Sequence, residues 1–186
     1  MARALIAGMW IAWIAYWFLA ARTVKPARER QSAASRLGFV LAMAIVAALL
    51  GLHRLSGVLA VRLVGGGWTR YWCAVALVAA GLGFSIWARI ILGGNWSGSV
   101  TVKVGHELIQ RGPYRHIRHP IYTGIILALL GTGLAAGQVR GFLGFAIGFV
   151  TLWLKSRVEE RWMTREFGER YAAYRQSSWA LIPFVL

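Results

Sequence analysis

The sequence predicts an all-α integral membrane protein, with about five transmembrane helices and a helical C-terminal tail. Hydrophobic residues make up 58% of the chain, whereas soluble domains contain about 45–50%. The apolar residues form long runs, and most of the lysines and arginines lie between these runs. Long apolar runs bounded by basic loops are typical of helices that cross a bilayer.

Five apolar runs are long enough, or nearly so, to cross the hydrocarbon layer, which takes roughly 20 residues of helix. They cover residues 4–21, 37–52, 72–92, 121–136 and 141–154. The first run exceeds the roughly 7–15 apolar residues of a secretory signal peptide, so we expect a retained span. The last two runs are short, and flanking aromatic and lysine side chains that reach the interface would extend them.

The chain is expected to form one membrane domain over residues 1–186. Its first part, 1–92, would contain three spans, and its second part, 93–186, would contain a loop, a helical hairpin and the tail. Basic residues are concentrated in the first loop, the third loop and the tail. This distribution predicts a cytoplasmic C-terminus in an inner or plasma membrane. The net charge of +15 then reflects contact with the lipid bilayer, and no nucleic-acid partner is expected.

The polar content of the spans argues against several classes of protein. The spans contain no acidic residue, which disfavours channels and pumps because these usually carry charge within the membrane. Arg89 lies deep in a run but near a helix end, where its side chain could reach the interface.

His116 and His119 have no third ligand at a suitable spacing, so no metal is predicted. Cys73 is the single cysteine, and it cannot form an intrachain disulfide.

The turn between the last two runs is so short that these spans must be antiparallel neighbours. Small residues recur at helical spacing in both spans, and such rows let helix backbones approach closely in lipid. The rows contain Gly124, Ala128 and Thr132 in one span and Gly144 and Gly148 in the other. The hairpin has a second consequence: it brings the loop before its first span and the segment after its second span to the same membrane face.

Polar residues are concentrated in these two segments. The loop 106–124 includes His119, which directly precedes Pro120 at a predicted helix start, where free backbone N–H groups can bind a carboxylate or phosphate. The segment 155–174 contains Glu159 and Glu160 just beyond the last apolar turn. For these two glutamates, a role in a site and a role as solvated helix charges are equally favoured. Four further charged residues fit solvated helix pairs, namely Glu166, Glu169, Arg165 and Arg170.

The motifs in this half resemble the isoprenylcysteine carboxyl methyltransferase family. They are Gly-Pro-Tyr-Arg at 112–115, Arg-His-Pro-Ile-Tyr-Thr-Gly at 118–124, Glu-Glu at 159–160, Phe-Gly at 167–168, Tyr171, Tyr174 and Ile-Pro at 182–183. Asn-Trp-Ser at 95–97 and His-Glu-Leu-Ile at 106–109 look like bacterial members. The resemblance covers about residues 95–183. Phospholipid N-methyltransferases and some sterol reductases share this C-terminal module.

The resemblance implies an enzyme of five helices that uses S-adenosylmethionine as methyl donor, held in a cytoplasmic pocket, with a lipophilic or lipid-tailed substrate entering from the bilayer. The implied cofactor-binding residues are His106, Glu107, Leu108, Ile109, Tyr114, His119, Pro120, Ile121, Tyr122, Glu159 and Glu160. The family places a basic residue, usually Arg, about four positions before the second glutamate. Here Lys155 occupies that place with Arg157 nearby, so these two are the implied catalytic residues that hold the acceptor.

The chemistry of these residues agrees with methyl transfer. A glutamate can pair with the donor's amine, a tyrosine ring can face its sulfonium, and His119 suits its carboxylate. A carboxylate acceptor is ionised at pH 7 and needs a cation rather than a general base, which favours carboxyl O-methylation. Methylation of a phospholipid or other amine, an NADPH-dependent membrane reductase and a non-catalytic membrane protein are the alternatives. The sequence indicates neither the acceptor nor the oligomeric state.

Overall fold

The computed structural model describes residues 2–23, 27–30, 32–52, 55–96, 101–103 and 107–185. Its main elements are six helices and one two-stranded ribbon. The helices are α1 (Ala2–Ala20), α2 (Ala33–Gly51), α3 (Trp68–Leu92), α4 (Pro120–Ala136), α5 (Val139–Phe167) and α6 (Glu169–Gln176). The antiparallel ribbon pairs β1 (Ala27–Arg30) with β2 (Thr101–Lys103). This ribbon is the small departure from the predicted all-helical chain.

Four of the described helices, α1, α2, α3 and α5, are long and apolar enough to cross a membrane. Helix α4 is also apolar but has 17 residues, so the count of five spans stays a prediction. Helix α5 has 29 residues, which is about 43 Å of helix at 1.5 Å per residue. It therefore extends well beyond the predicted apolar run at 141–154 and carries the following charged residues as one continuous rod.

Helix α4 lies at the centre of the bundle and packs against both α3 and α5. The predicted antiparallel hairpin is confirmed: α4 ends at Ala136, and α5 begins at Val139. Gly137 permits this tight reversal because its φ of 63° is in the left-handed region. The start of α4 and the end of α5 consequently meet at one end of the bundle, the site end, and the Gly137 turn marks the other, the turn end.

The row of small residues on α4 faces α3 and α1. A Cβ atom on Gly124 would lie 2.4 Å from the carbonyl oxygen of Gly81 in α3, and a Cβ on Gly81 would lie 2.6 Å from the backbone nitrogen of Ala128. Thr132 accepts a hydrogen bond of 3.0 Å from the indole of Trp10 in α1. On α5, a Cβ on Gly144 would meet Leu50 of α2 at 3.1 Å. The sequence showed that close approach occurs but did not show between which helices.

Arg89, for which the sequence analysis expected a side chain that reaches the interface, is buried among protein groups at the ends of two helices. Only 2% of the residue is exposed. Its guanidinium donates to the carbonyl oxygens of Ala20 and Gly93, at 2.8 and 2.7 Å, and lies 4.7 Å from the ring centre of Trp96. These contacts replace water for the charge and connect the ends of α1 and α3.

Candidate active site

The start of α4 is fixed by the chain that precedes it and by the C-terminal tail. Pro120 is the first residue of the helix, where the missing N–H costs nothing. The backbone N–H groups of Arg118 and His119 donate to the carbonyl oxygens of Trp179 and Ala180, at 2.8 and 3.0 Å. These two hydrogen bonds hold the C-terminal tail against the loop that precedes α4. Leu181 then inserts into the core with no exposed surface.

Helix α6 attaches to the same loop through a tyrosine. The hydroxyl of Tyr174 donates a hydrogen bond to the backbone carbonyl of Tyr114, and both residues are buried. Burial, and after it the neighbouring Tyr174 and Glu159, raise the pKa of the Tyr114 phenol. Tyr114 therefore presents a neutral ring and hydroxyl at physiological pH.

Glu159 contacts two residues of the α4 start. Its Oε1 accepts a hydrogen bond of 2.5 Å from the Tyr122 hydroxyl, and its Oε2 lies 3.4 Å from Nδ1 of His119. The His119 and Tyr122 rings are parallel within 3°, with centres 5.5 Å apart. The Glu159 side chain is 20% exposed, so this carboxylate can accept a further cationic partner.

Glu160 is surrounded by cations of the protein itself. Its Oε1 receives a 2.7 Å hydrogen bond from Nε of Arg118 and lies 3.6 Å from Nε2 of His119. Its Oε2 lies 3.7 Å from Arg157 and 3.9 Å from Arg175. With a side chain only 5% exposed, Glu160 is a buried anion whose charge is already balanced. The two adjacent glutamates, equivalent in the sequence, thus occupy different environments.

His119 lies between the two carboxylates, and its side chain is 9% exposed. Burial by itself would lower the pKa of the imidazole, but hydrogen bonding to Glu159 and Glu160 outweighs it, and the pKa is raised above its usual value. The two carboxylates therefore stabilise the cationic form of the ring relative to an isolated histidine. Nε2 of His119 has no hydrogen-bond partner within the described part of the chain.

Lys155 lies one helical turn before Glu159, on the same face of α5. Its ammonium is 4.1 Å from the ring centre of Phe39 in α2 and 5.6 Å from that of Tyr122. Arg157, the other implied catalytic residue, has a side chain that is 51% exposed and contacts Glu160. Of the two basic residues, Lys155 is therefore the one that lies beside Tyr122.

The remaining implied cofactor residues are distributed around this cluster. Ile121 is buried in the core, and Ile109 packs against the same core cluster. Glu107 is exposed, and its backbone N–H donates to the Asn95 side chain at 3.4 Å. Leu108 is partly buried. His106 lies outside the described residues.

Two residues of the cluster were missed by the sequence analysis. Arg118 donates to Glu160 and also, through Nη1, to the carbonyl oxygen of Ser178. A basic residue directly before His119 could have been paired with the glutamates, since both segments were expected at one membrane face. Phe39 carried no usable signal because an aromatic residue in an apolar span does not indicate which helix it faces.

Comparison with known proteins shows which family and which relatives this chain resembles. The profile of the family described as phospholipid methyltransferase matches residues 69–170. Protein-S-isoprenylcysteine O-methyltransferase B of Arabidopsis thaliana is 30% identical over 82 residues, which cover 43% of this chain and 41% of that protein. The Schizosaccharomyces pombe protein-S-isoprenylcysteine O-methyltransferase is 32% identical over 84 residues, covering 43% of this chain and 34% of that protein.

A solved structure extends the likeness to the fold. The eukaryotic intramembrane Ras methyltransferase, isoprenylcysteine carboxyl methyltransferase, superposes with a TM-score of 0.58 at 20% sequence identity, covering 91% of this chain and 53% of that chain. This similarity confirms the predicted helical membrane fold. The sequence matches, in contrast, span less than half the length of the curated relatives.

Proposed function

This chain belongs to the phospholipid methyltransferase family, and we propose that it transfers a methyl group from S-adenosylmethionine to the carboxylate of a lipid-tailed acceptor. The observation that carries this proposal is the cluster of Glu159, His119, Tyr122 and Lys155 at one end of a membrane bundle. It combines an accessible anion, an aromatic face and a cation within a few ångströms. We place this end at the cytoplasmic face, as the loop charges favour, and a reporter fused to the C-terminus tests that side.

The residues present suit S-adenosylmethionine, whose groups are an ammonium, a carboxylate and a sulfonium. Glu159 offers a carboxylate for the ammonium. Nε2 of His119, which makes no hydrogen bond in the described part of the chain, and the helix start of α4, which no described side chain caps, offer donors for the carboxylate. The Tyr122 ring offers an electron-rich face for the sulfonium.

When bound, S-adenosylmethionine would supply an activated methyl group that an oxygen nucleophile can attack, with S-adenosylhomocysteine as the leaving group. The protein's task is then to align two reactants and exclude water. Lys155 can hold an anionic acceptor beside Tyr122 by charge attraction. Tyr114, His119 and Glu159 position the donor, and the tail clamped by Arg118 closes this side of the site.

The protonation states favour a carboxylate acceptor over an amine. A carboxylate is already ionised at neutral pH, whereas an ammonium acceptor must first lose a proton to a base. His119, the histidine of the cluster, lies between two carboxylates that stabilise its protonated form, which makes the ring less available to take a proton from the acceptor. The named relatives methylate S-isoprenylcysteine, so we propose a prenylated cysteine carboxylate or a similar lipophilic acid as the acceptor class.

Methylation of an amine is the second candidate because Glu159, the more exposed carboxylate of the cluster, could attract a cationic acceptor. A transfer assay with labelled S-adenosylmethionine separates the two. We expect base-labile label on an S-prenylated cysteine and none on the corresponding carboxamide, which has the same tail but no carboxylate. Label on phosphatidylethanolamine, with none on the acid, would establish the amine reaction instead.

A further inference from the structure

A cavity of about 420 Å³ lies between α1, α2 and α4. Helix α1 packs mainly on α3, and α2 packs mainly on α5, which leaves space between them. The walls are almost entirely apolar and include Trp10, Val46 and Leu129. In a membrane-embedded bundle, a hydrocarbon chain is the natural occupant, because an empty void of this size costs packing energy and an apolar one excludes water.

The cavity extends to the turn end of the bundle, away from the candidate active site. Its lining includes Arg3 near the start of α1, Gly51 at the end of α2 and Arg140 near the start of α5. Its inner end reaches Trp13 and Leu129. None of the residues that form the cluster around Glu159 lines it.

The two arginines place positive charge at the turn end of an apolar space. Arg140 is 3% exposed, and its described hydrogen bonds go to neutral acceptors, namely the Gln138 side chain at 2.7 Å and the carbonyls of Leu49 and Leu50 at 2.8 and 3.3 Å. The six acids of the chain are glutamates at positions 29, 107, 159, 160, 166 and 169. Residue 29 is in the ribbon and 107 in the loop before α4, while the other four lie at the end of α5 and the start of α6. These segments all belong to the site end, so no carboxylate in the described part of the chain neutralises the two arginines at the turn end.

We propose that this cavity binds a phospholipid with an anionic headgroup, with an acyl chain between α1, α2 and α4 and the phosphate on Arg3 and Arg140. Guanidinium groups bind phosphate through paired, charge-assisted hydrogen bonds. Such a lipid matches both features of the site at once, since its chain fills the apolar space and its headgroup compensates the unbalanced charge. The binding site lies in the leaflet opposite the proposed methyl transfer and does not depend on that activity.

The test measures lipid binding to the full-length protein in detergent, without any methyl donor. Thermal unfolding is followed with short-chain phosphatidylglycerol, with phosphatidylcholine of the same chains and with inorganic phosphate. We expect phosphatidylglycerol to raise the Tm of the protein most and inorganic phosphate to leave it unchanged. Arg3→Gln should weaken the apparent affinity for phosphatidylglycerol about tenfold, as expected for one lost charge-assisted contact.

Two further variants separate the cavity from general surface charge. Ala47→Phe adds a ring to the cavity wall and should also remove the lipid effect. Arg62→Gln changes an exposed arginine of the turn end that does not line the cavity, and its response should match the wild type. Equal stabilisation by both lipids, stabilisation by inorganic phosphate alone, or an unchanged preference in Arg3→Gln would each overturn the proposal. Competition by an S-prenylated cysteine for phosphatidylglycerol would also overturn it, since the cavity would then serve the acceptor.

Discussion

The hydroxyl of Tyr122 donates a 2.5 Å hydrogen bond to Oε1 of Glu159. This bond joins the first turn of α4 to the charged part of α5, and it leaves Glu159 as the more accessible of two adjacent glutamates. Glu160, the next residue, faces Arg118, His119, Arg157 and Arg175 instead. We therefore assign ligand binding to Glu159 and a structural role to Glu160.

Removal of the Glu160 carboxylate should destabilise the protein. In Glu160→Ala, Arg118 keeps its buried charge but loses its carboxylate partner, and breaking a buried ion pair in this way costs about 3–5 kcal/mol. The free energy of unfolding in detergent measures this loss. Glu169→Ala is the matched control, because Glu169 is exposed at the start of α6 and should change stability by no more than about 0.5 kcal/mol. Equal stability of the two variants would show that Glu160 is not the structural anion described here.

Stability should also depend on the protonation of His119. Its folded-state pKa is raised, so protonation favours the folded state; this contribution is complete below the unfolded-state value of about 6.5. It is lost as the pH rises through the higher folded-state pKa. Thermal unfolding between these limits should show the wild type losing stability with rising pH relative to His119→Gln. Parallel pH profiles for the two proteins would contradict the described contacts with Glu159 and Glu160.

The contact between α3 and α4 predicts a sharp difference between two glycines of one helix. A Cβ on Gly81 would lie 2.4 Å from the Gly124 carbonyl oxygen, whereas a Cβ on Gly83 meets nothing within 4 Å. Gly81→Ala should therefore cost about 1–3 kcal/mol, because two backbones must separate. Gly83→Ala should be neutral or stabilising by up to about 1 kcal/mol, since alanine favours the helix. If Gly81→Ala and Gly83→Ala changed the free energy of unfolding equally, the close approach of α3 and α4 described here would be wrong.

The sequence predicted the membrane fold and the meeting of the two polar segments, and the comparisons confirm the family that its motifs indicated. A short turn fixes an antiparallel hairpin, and the hairpin fixes which ends meet. The sequence could not predict that Glu160 is the more buried of the two glutamates and Glu159 the more accessible, because adjacent helical positions differ by only about 100° of rotation. The partner of Gly124 and the burial of Arg89 were missed for a related reason, since both depend on contacts between distant helices.

Lys155 is proposed to hold the acceptor, and this assignment predicts a selective loss of rate. Lys155→Met should lower methyl transfer at saturating S-adenosylmethionine while leaving donor affinity nearly unchanged, because an interaction that aligns the acceptor is lost. Lys155→Arg should retain activity. Arg157→Met, which removes a half-exposed cation bound to Glu160, should reduce the rate less. Full activity in Lys155→Met would exclude this role.

We propose that the cluster around Glu159 binds S-adenosylmethionine, and calorimetric titration of the detergent-purified protein with S-adenosylhomocysteine would detect this binding. The wild type should bind this product but not NADPH, and Glu159→Gln should bind it roughly 10- to 150-fold more weakly, as expected for a lost charge-assisted contact of about 1.5–3 kcal/mol. Glu166→Gln, about two turns further along α5, should bind like the wild type. Absence of S-adenosylhomocysteine binding to the folded wild type, or identical affinity in Glu159→Gln, would contradict the assignment.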